Sequence, residues 1–249
     1  MSCSNDIVIE DQNIRFYFEY LEWDSEFFSK KSYSLNIYKS TLGTSVLIKE
    51  EIIDKFKNCF ITIKLSTSLD VSILFFLQKC GFYYVDTEIV LEYVLNNNSQ
   101  KKDDNIKIIK KKVNSDLPYN EFGNAFSLTR FHTDINIPNL KANELWINYL
   151  KNYKLSAKKH MFTAEDKGKV VGVILVNIEK DIAILFYVSV LKEYEGLGIG
   201  TQLMNEVLKY FKNYRIVTET QIKNINAMNY YIRNGLNKIN NTLTVLHRW

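Results

Sequence analysis

Proline and cysteine are scarce in this chain, with two and three respectively among 249 residues. Cys3, Cys59 and Cys80 are odd in number and form no CxxC pair, so neither a disulfide framework nor a thiolate metal knuckle is expected to organise the fold. His132, His160 and His247 lie far apart in sequence, and no metal site is expected from them. The longest nearly unbroken apolar runs, Val170–Val176 and Ile182–Val190, reach about half of the 18 or more residues that a membrane span needs. Arginine occurs only at Arg15, Arg130, Arg215, Arg233 and Arg248, and the 32 basic groups nearly balance 28 acidic ones. There is no concentrated basic stripe, so no nucleic-acid partner is expected. The opening MSCSND carries neither a basic stretch nor an apolar core, which predicts no signal peptide and a cytoplasmic protein.

The rest of the composition is globular: 46% apolar, 14% aromatic and 24% charged. The length suits one large domain or two small ones. Asn96–Asn105 (NNNSQKKDDN) has no apolar side chain and reads as a linker. It separates a domain at 1–95 from a domain at 106–249.

The second part alternates legibly between elements. Strands are expected at Ile106–Val113, Met161–Glu165, Val170–Ile178, Ile182–Val190, Ile216–Thr220 and Thr242–Trp249. Helices are expected at Leu117–Phe126, Leu140–Tyr153, Gly200–Asn213 and Ile225–Asn234, the last ended by Gly235. Meandering strands followed by strand–helix–strand–helix–strand predict an α/β (α+β) fold, a mixed sheet with helices packed on it. The first part echoes the end of the second. Phe76–Tyr93 and Tyr230–Trp249 each read as a helix ending in glycine, an apolar residue directly after it, and an apolar strand. The echo lacks a glycine loop and has Leu77 where the second part has Tyr231, so the first part reads as an incomplete, structural copy.

Three of the nine glycines fall in Gly196–Gly200, between an apolar strand and a helix start. Such a loop can aim consecutive backbone N–H groups, with a helix N-terminus behind them, at an anion. It can equally be a flexible turn. It is not a P-loop, because no Gly-Lys-Ser/Thr follows. It is not a dinucleotide fingerprint either, because the third glycine is misplaced and the strand follows a meander.

Glu195-Gly196-Leu197-Gly198-Ile199-Gly200 resembles the Arg/Gln-x-x-Gly-x-Gly/Ala loop of the GCN5-related N-acetyltransferases (GNAT), with Glu195 in place of Arg or Gln. Asn224-x-x-Ala227-x-x-x-Tyr231-x-x-x-Gly235-Leu236 is similar to a second signature of that family. The resemblance implies a GNAT fold with an N-terminal partial GNAT-like half, and acetyl-CoA as co-substrate. It places the coenzyme on Val188, Val190, Glu195, Gly196, Leu197, Gly198, Ile199, Gly200, Thr201, Asn224 and Ala227. It makes Tyr231 the general acid that protonates the departing thiolate after direct attack by an amine. A phenol of reference pKa about 10 is a neutral donor at pH 7.

LEWDSEFF at Leu21–Phe28, GFYYVDTEIVL at Gly81–Leu91, RFHTDINIP at Arg130–Pro138 and the terminal VLHRW look like the subgroup acting on dTDP-4-amino-4,6-dideoxygalactose. That implies a nucleotide-linked amino sugar as acceptor. Arg130 is a candidate for its diphosphate, and His132, Asp134 and Glu219 for its amine or for the base; each also has an ordinary structural reading. Asp134 suits the turn before Pro138. An amino acid, a polyamine or a protein N-terminus is the alternative acceptor, and a non-catalytic coenzyme-binding module the alternative class. A homodimer is compatible with exposed sheet edges.

Overall fold

The computed structural model describes residues 6–11, 14–39, 51–67, 71–94, 106–111 and 117–249. In chain order these form β1 (Ile7–Asp11), β2 (Ile14–Tyr20), α1 (Glu22–Phe28), β3 (Ser32–Lys39), α2 (Glu51–Asp54), β4 (Phe60–Ser66), α3 (Val71–Lys79) and β5 (Tyr83–Glu92). There follow β6 (Lys107–Lys110), α4 (Tyr119–Asn124), α5 (Arg130–Thr133), α6 (Asn139–Asn152), β7 (Lys159–Asp166), β8 (Lys169–Glu179) and β9 (Ile182–Val190). The chain closes with α7 (Ile199–Tyr210), β10 (Arg215–Gln221), α8 (Ile225–Arg233) and β11 (Lys238–Arg248). No helix among the described residues is long and apolar enough to cross a membrane.

The chain divides into two compact units, Met1–Thr87 with Thr242–Trp249, and Glu88–Asn241. The linker expected at 96–105 lies outside the described residues, as does the end of the strand expected at Ile106–Val113. The unit boundary falls instead inside β5, and the last eight residues belong with the first unit. In that unit the strand order is β1-β2-β3-β4-β11, and in the second it is β5-β10-β9-β8-β7-β6.

The two units repeat one pairing scheme. In the first, β2 is antiparallel to β3, β3 parallel to β4, and β4 antiparallel to β11. In the second, β8 is antiparallel to β9, β9 parallel to β10, and β10 antiparallel to β5. Each unit is therefore closed by the strand that follows the other unit's helix in sequence.

The echo between the two parts is exact at the helix ends. Phe82 N–H donates to Leu77 O and Gly81 N–H to Gln78 O; Leu236 N–H donates to Tyr231 O and Gly235 N–H to Ile232 O. Both are Schellman ends with glycine at left-handed φ, +85° at Gly81 and +90° at Gly235. Leu77 and Phe82 share one core, and Tyr231 and Leu236 share another.

In the first unit Ile14, Phe16 and Phe18 face inward along β2 while Arg15 points out, the period of a half-buried strand. Trp23 and Asp24 lie on α1. In the second unit β8 is buried over Val170–Val176 without alternation, because helices cover both faces of the sheet. Leu203, Val207 and Tyr231 of α7 and α8 pack with Val171 and Ile174 on one face. Phe122 and Leu150 of α4 and α6 pack with Val173 and Leu175 on the other. The short α5 was not predicted, and β11 begins at Lys238 rather than Thr242, since the polar KINN carries no strand pattern.

Candidate active site

β9 and β10 pair only over Ile182–Leu185 and Arg215–Thr218. β9 runs on to Val190 and β10 to Gln221, so past Thr218↔Leu185 the two parallel strands part. The Thr218 hydroxyl bridges the last pair by donating to Leu185 O at 3.1 Å. Main-chain groups on the β10 side of 186–190 thus lack a strand partner among the described residues, and backbone polar groups in such a position seek one.

A bulge sits at the same point. Leu175 pairs with Tyr187 but Val176 with Leu185, leaving Phe186 as the extra residue. The bulge reverses the strand's faces. Before it Ala183 and Leu185 lie in the α7/α8 core; after it Val188 and Val190 pack there, while Tyr187 turns to the opposite core. Tyr187 is fixed by donating to Phe122 O at 2.6 Å. Phe186 stacks on Tyr149 at 4.7 Å, beside Trp146.

At the end of β9, Lys192–Tyr194 make a 3₁₀ turn and the glycine loop follows. Gly196 and Gly198 both take φ of +79°, and a Cβ on either would meet nothing within 4 Å. Glycine is needed there for backbone conformation and not for room. Glu195, Gly196, Leu197 and Gly198 are exposed, whereas Ile199 is buried and anchors the start of α7 beside Leu203. Gly198 is the N-cap residue, so the N–H groups of Ile199, Gly200 and Thr201 have no acceptor within the helix. The loop thus fits an anionic group such as a pyrophosphate, held through main-chain N–H groups with the helix dipole behind them.

Tyr231 reaches the splay from α8. It is buried, and its phenol lies beside the Thr218 side chain. Burial raises its pKa above the usual phenol value, an effect the Thr218 contact partly offsets. The group therefore holds its proton throughout the neutral range.

Asn224 caps α8, its Oδ1 accepting from Ala227 N–H at 3.1 Å. Replacing it with alanine removes a cap worth about 1 kcal/mol. The expected result is a melting temperature lower by roughly 2–4 °C. Thermal denaturation checks this, and an unchanged midpoint would refute the capping role.

The candidates in Arg130–Asp134 sit on α5 and its C-terminal end. Thr133 Oγ1 is bonded to Lys223 Nζ, which brings this helix beside the β10–α8 connection. His132 is held at both ring nitrogens, Nδ1 to Thr129 Oγ1 and Nε2 to Asn143 Oδ1, each at 2.8 Å. Trp146 Nε1 donates to the same Thr129 oxygen at 3.4 Å. These bonds give His132 a role in tying α5 to α6. Asp134 is buried and accepts from Asn136 N–H at 2.8 Å, closing the turn that leads to Pro138. Arg130 lies over the Phe131 ring, 4.7 Å from its centre. Glu219 is exposed on β10 and paired with Val90; strand alternation turns it away from the Thr218 face that Tyr231 meets. Sequence reading missed Thr218 and Phe186, which carry no motif, and Tyr230, whose hydroxyl donates to Gly200 O at 2.6 Å.

An antiparallel meander, a bulged strand parting from its parallel neighbour, and a glycine loop opening the crossover helix define the GNAT fold. Residues 127–236, all within the second unit, match the Acetyltransferase (GNAT) family. An uncharacterised N-acetyltransferase from Methanocaldococcus jannaschii is 36% identical over 78 residues, covering 30% of this chain and 50% of that protein. The chain thus spans half the length of this curated relative. Among solved structures, a GCN5-related N-acetyltransferase from Sphaerobacter thermophilus superposes with a TM-score of 0.60 at 14% identity, over 95% of this chain and 80% of that one. A functionally unknown conserved protein from Staphylococcus epidermidis gives 0.61 at 14% identity, over 99% and 95%. A tandem GNAT protein from the clavulanic acid biosynthesis pathway gives 0.57 at 10% identity, over 97% and 81%. These structures share the fold over nearly the whole chain, first unit included.

Proposed function

We propose that the protein is an acetyl-CoA-dependent N-acetyltransferase whose acceptor is the 4-amino group of a dTDP-linked amino-deoxysugar. The observation that carries the transferase reading is the splay of β9 from β10 at Thr218↔Leu185, with the Tyr231 hydroxyl against Thr218 at that point. The coenzyme supplies the acetyl thioester. Val188 and Val190 on the parted edge would hold its pantetheine arm, and the N–H groups at the start of α7 its pyrophosphate. Tyr231 keeps its proton at Oη and gives it to the departing sulfur. Glu195, being exposed, leaves the main-chain cradle intact and adds only a solvated negative charge near the anion.

Two features support the acceptor reading. Phe126, Trp146, Tyr149 and Phe186 form a partly exposed group of rings at the bulge, on the face opposite α7, where a pyrimidine could stack. Arg130 and Lys223 supply positive charge at the α5 end of the same unit.

The experiment is release of free coenzyme A thiol from acetyl-CoA, with dTDP-4-amino-4,6-dideoxygalactose and its gluco epimer as separate acceptors. Acceptor-dependent release is expected, and the ratio of the two rates assigns the sugar. Binding of acetyl-CoA without release on either sugar would overturn the acceptor. Failure to bind acetyl-CoA would overturn the transferase reading itself.

A further inference from the structure

We propose that Tyr230 is the positioning residue for the coenzyme's pyrophosphate: its hydroxyl and ring fix the first turn of α7, whose N–H groups receive the anion. The proposal rests on the acetyl-CoA reading above. Tyr230 Oη donates to Gly200 O at 2.6 Å across 30 positions of sequence. Its ring also lies directly on Gly200, where a Cβ would come within 3.0 Å of Tyr230 Cε2 and 3.5 Å of Cζ and Oη. Gly200 is not among the glycines with positive φ. The third glycine of the loop therefore serves a different purpose from Gly196 and Gly198: it makes room for Tyr230.

The bond has an electrostatic consequence for the anion site. Gly200 O already accepts the helical N–H four residues on. A second donor on that carbonyl further polarises the peptide group joining Gly200 to Thr201. The N–H of that group is Thr201's, one of the N–H groups at the helix start with no acceptor within the helix. Burial and the adjacent Tyr231 push the Tyr230 pKa well above the usual phenol value, so the donor persists at any working pH. Consecutive helix residues project about 100° apart. Tyr230 thus reaches α7 while Tyr231 reaches Thr218, and α8 holds both ends of the coenzyme site.

The test is titration of the full chain with coenzyme A and, separately, with pantetheine, which lacks the pyrophosphate. Tyr230→Phe keeps the ring and is expected to fold normally. Losing one hydrogen bond should weaken coenzyme A binding about three- to tenfold and leave pantetheine binding unchanged. Gly200→Ala should weaken coenzyme A more with Tyr230 present than in a Tyr230→Ala background, because the clash is with that ring. Equal coenzyme A affinity in wild type and Tyr230→Phe would overturn the proposal. So would an equal loss for pantetheine, or a Gly200→Ala effect independent of Tyr230. Absence of coenzyme A binding in the wild type would overturn the coenzyme reading, and this proposal with it.

Discussion

Replacing Tyr231 with phenylalanine is expected to lower kcat by at least about tenfold, within the roughly 10²–10⁴-fold that general acid catalysis contributes. Only Oη is removed, so packing with Leu236 and the Thr218-to-Leu185 bond both survive. The affinity for coenzyme A should hardly change, which places the loss in the chemical step. The pH dependence follows from the sign of the shift. A phenol whose pKa is raised stays protonated below the usual value of about 10, so Tyr231 should impose no alkaline decline in kcat between pH 7 and about 9. Steady-state kinetics on both proteins over that range decide the matter. An unchanged kcat would remove Tyr231 from the chemistry.

The second large effect concerns stability. Gly123 lies on α4, and a Cβ there would stand 2.9 Å from the backbone nitrogen of Ile147 and 3.0 Å from its Cα, besides clashing with its side chain. Alanine in a helix interior is ordinarily favoured over glycine by roughly 0.5–1 kcal/mol. Overpacking against backbone costs about 1–3 kcal/mol and cannot be relieved by a rotamer change, so the clash wins. The Tyr187 bond to Phe122 O also pins α4 to the sheet, which denies it the freedom to move away. Gly123→Ala is expected to lower the melting temperature by several degrees, at about 2–4 °C per kcal/mol. A midpoint equal to or above wild type would show that α4 and α6 can separate without penalty.

The glycine loop and the Asn224-capped helix are legible because they rest on short local patterns, and the apolar run Ile182–Val190 coincides with β9. In the sequence Gly196, Gly198 and Gly200 form one feature. Only the structure separates the two that need left-handed φ from the one that accommodates a ring. The bulge at Phe186 leaves no trace in IAILFYVSV, since all of its residues but Ser189 are apolar and there is no apolar–polar alternation to interrupt. Tyr230 was silent because its partner is reached only through tertiary packing. His132 and Asp134 look reactive as residue types, yet their heteroatoms are taken up by neighbours three, two and eleven positions away, which composition cannot reveal. The compact units follow strand pairing, and pairing between distant strands is not written in any local window.

That exchange of closing strands bears on the order in which the protein can be assembled. The first unit's sheet is finished by the Leu243–Arg248 part of β11, and Arg248 Nη1 donates to Phe56 O across 192 positions. During synthesis from the N-terminus, β4 must therefore wait with one edge bare until the end of β11 leaves the ribosome. Closing so long a loop is slow, and an unpaired edge is open to wrong partners meanwhile. The waiting strand, FITIKLS, carries an outward lysine at Lys64, a charge of the kind that keeps bare edges from pairing with strangers.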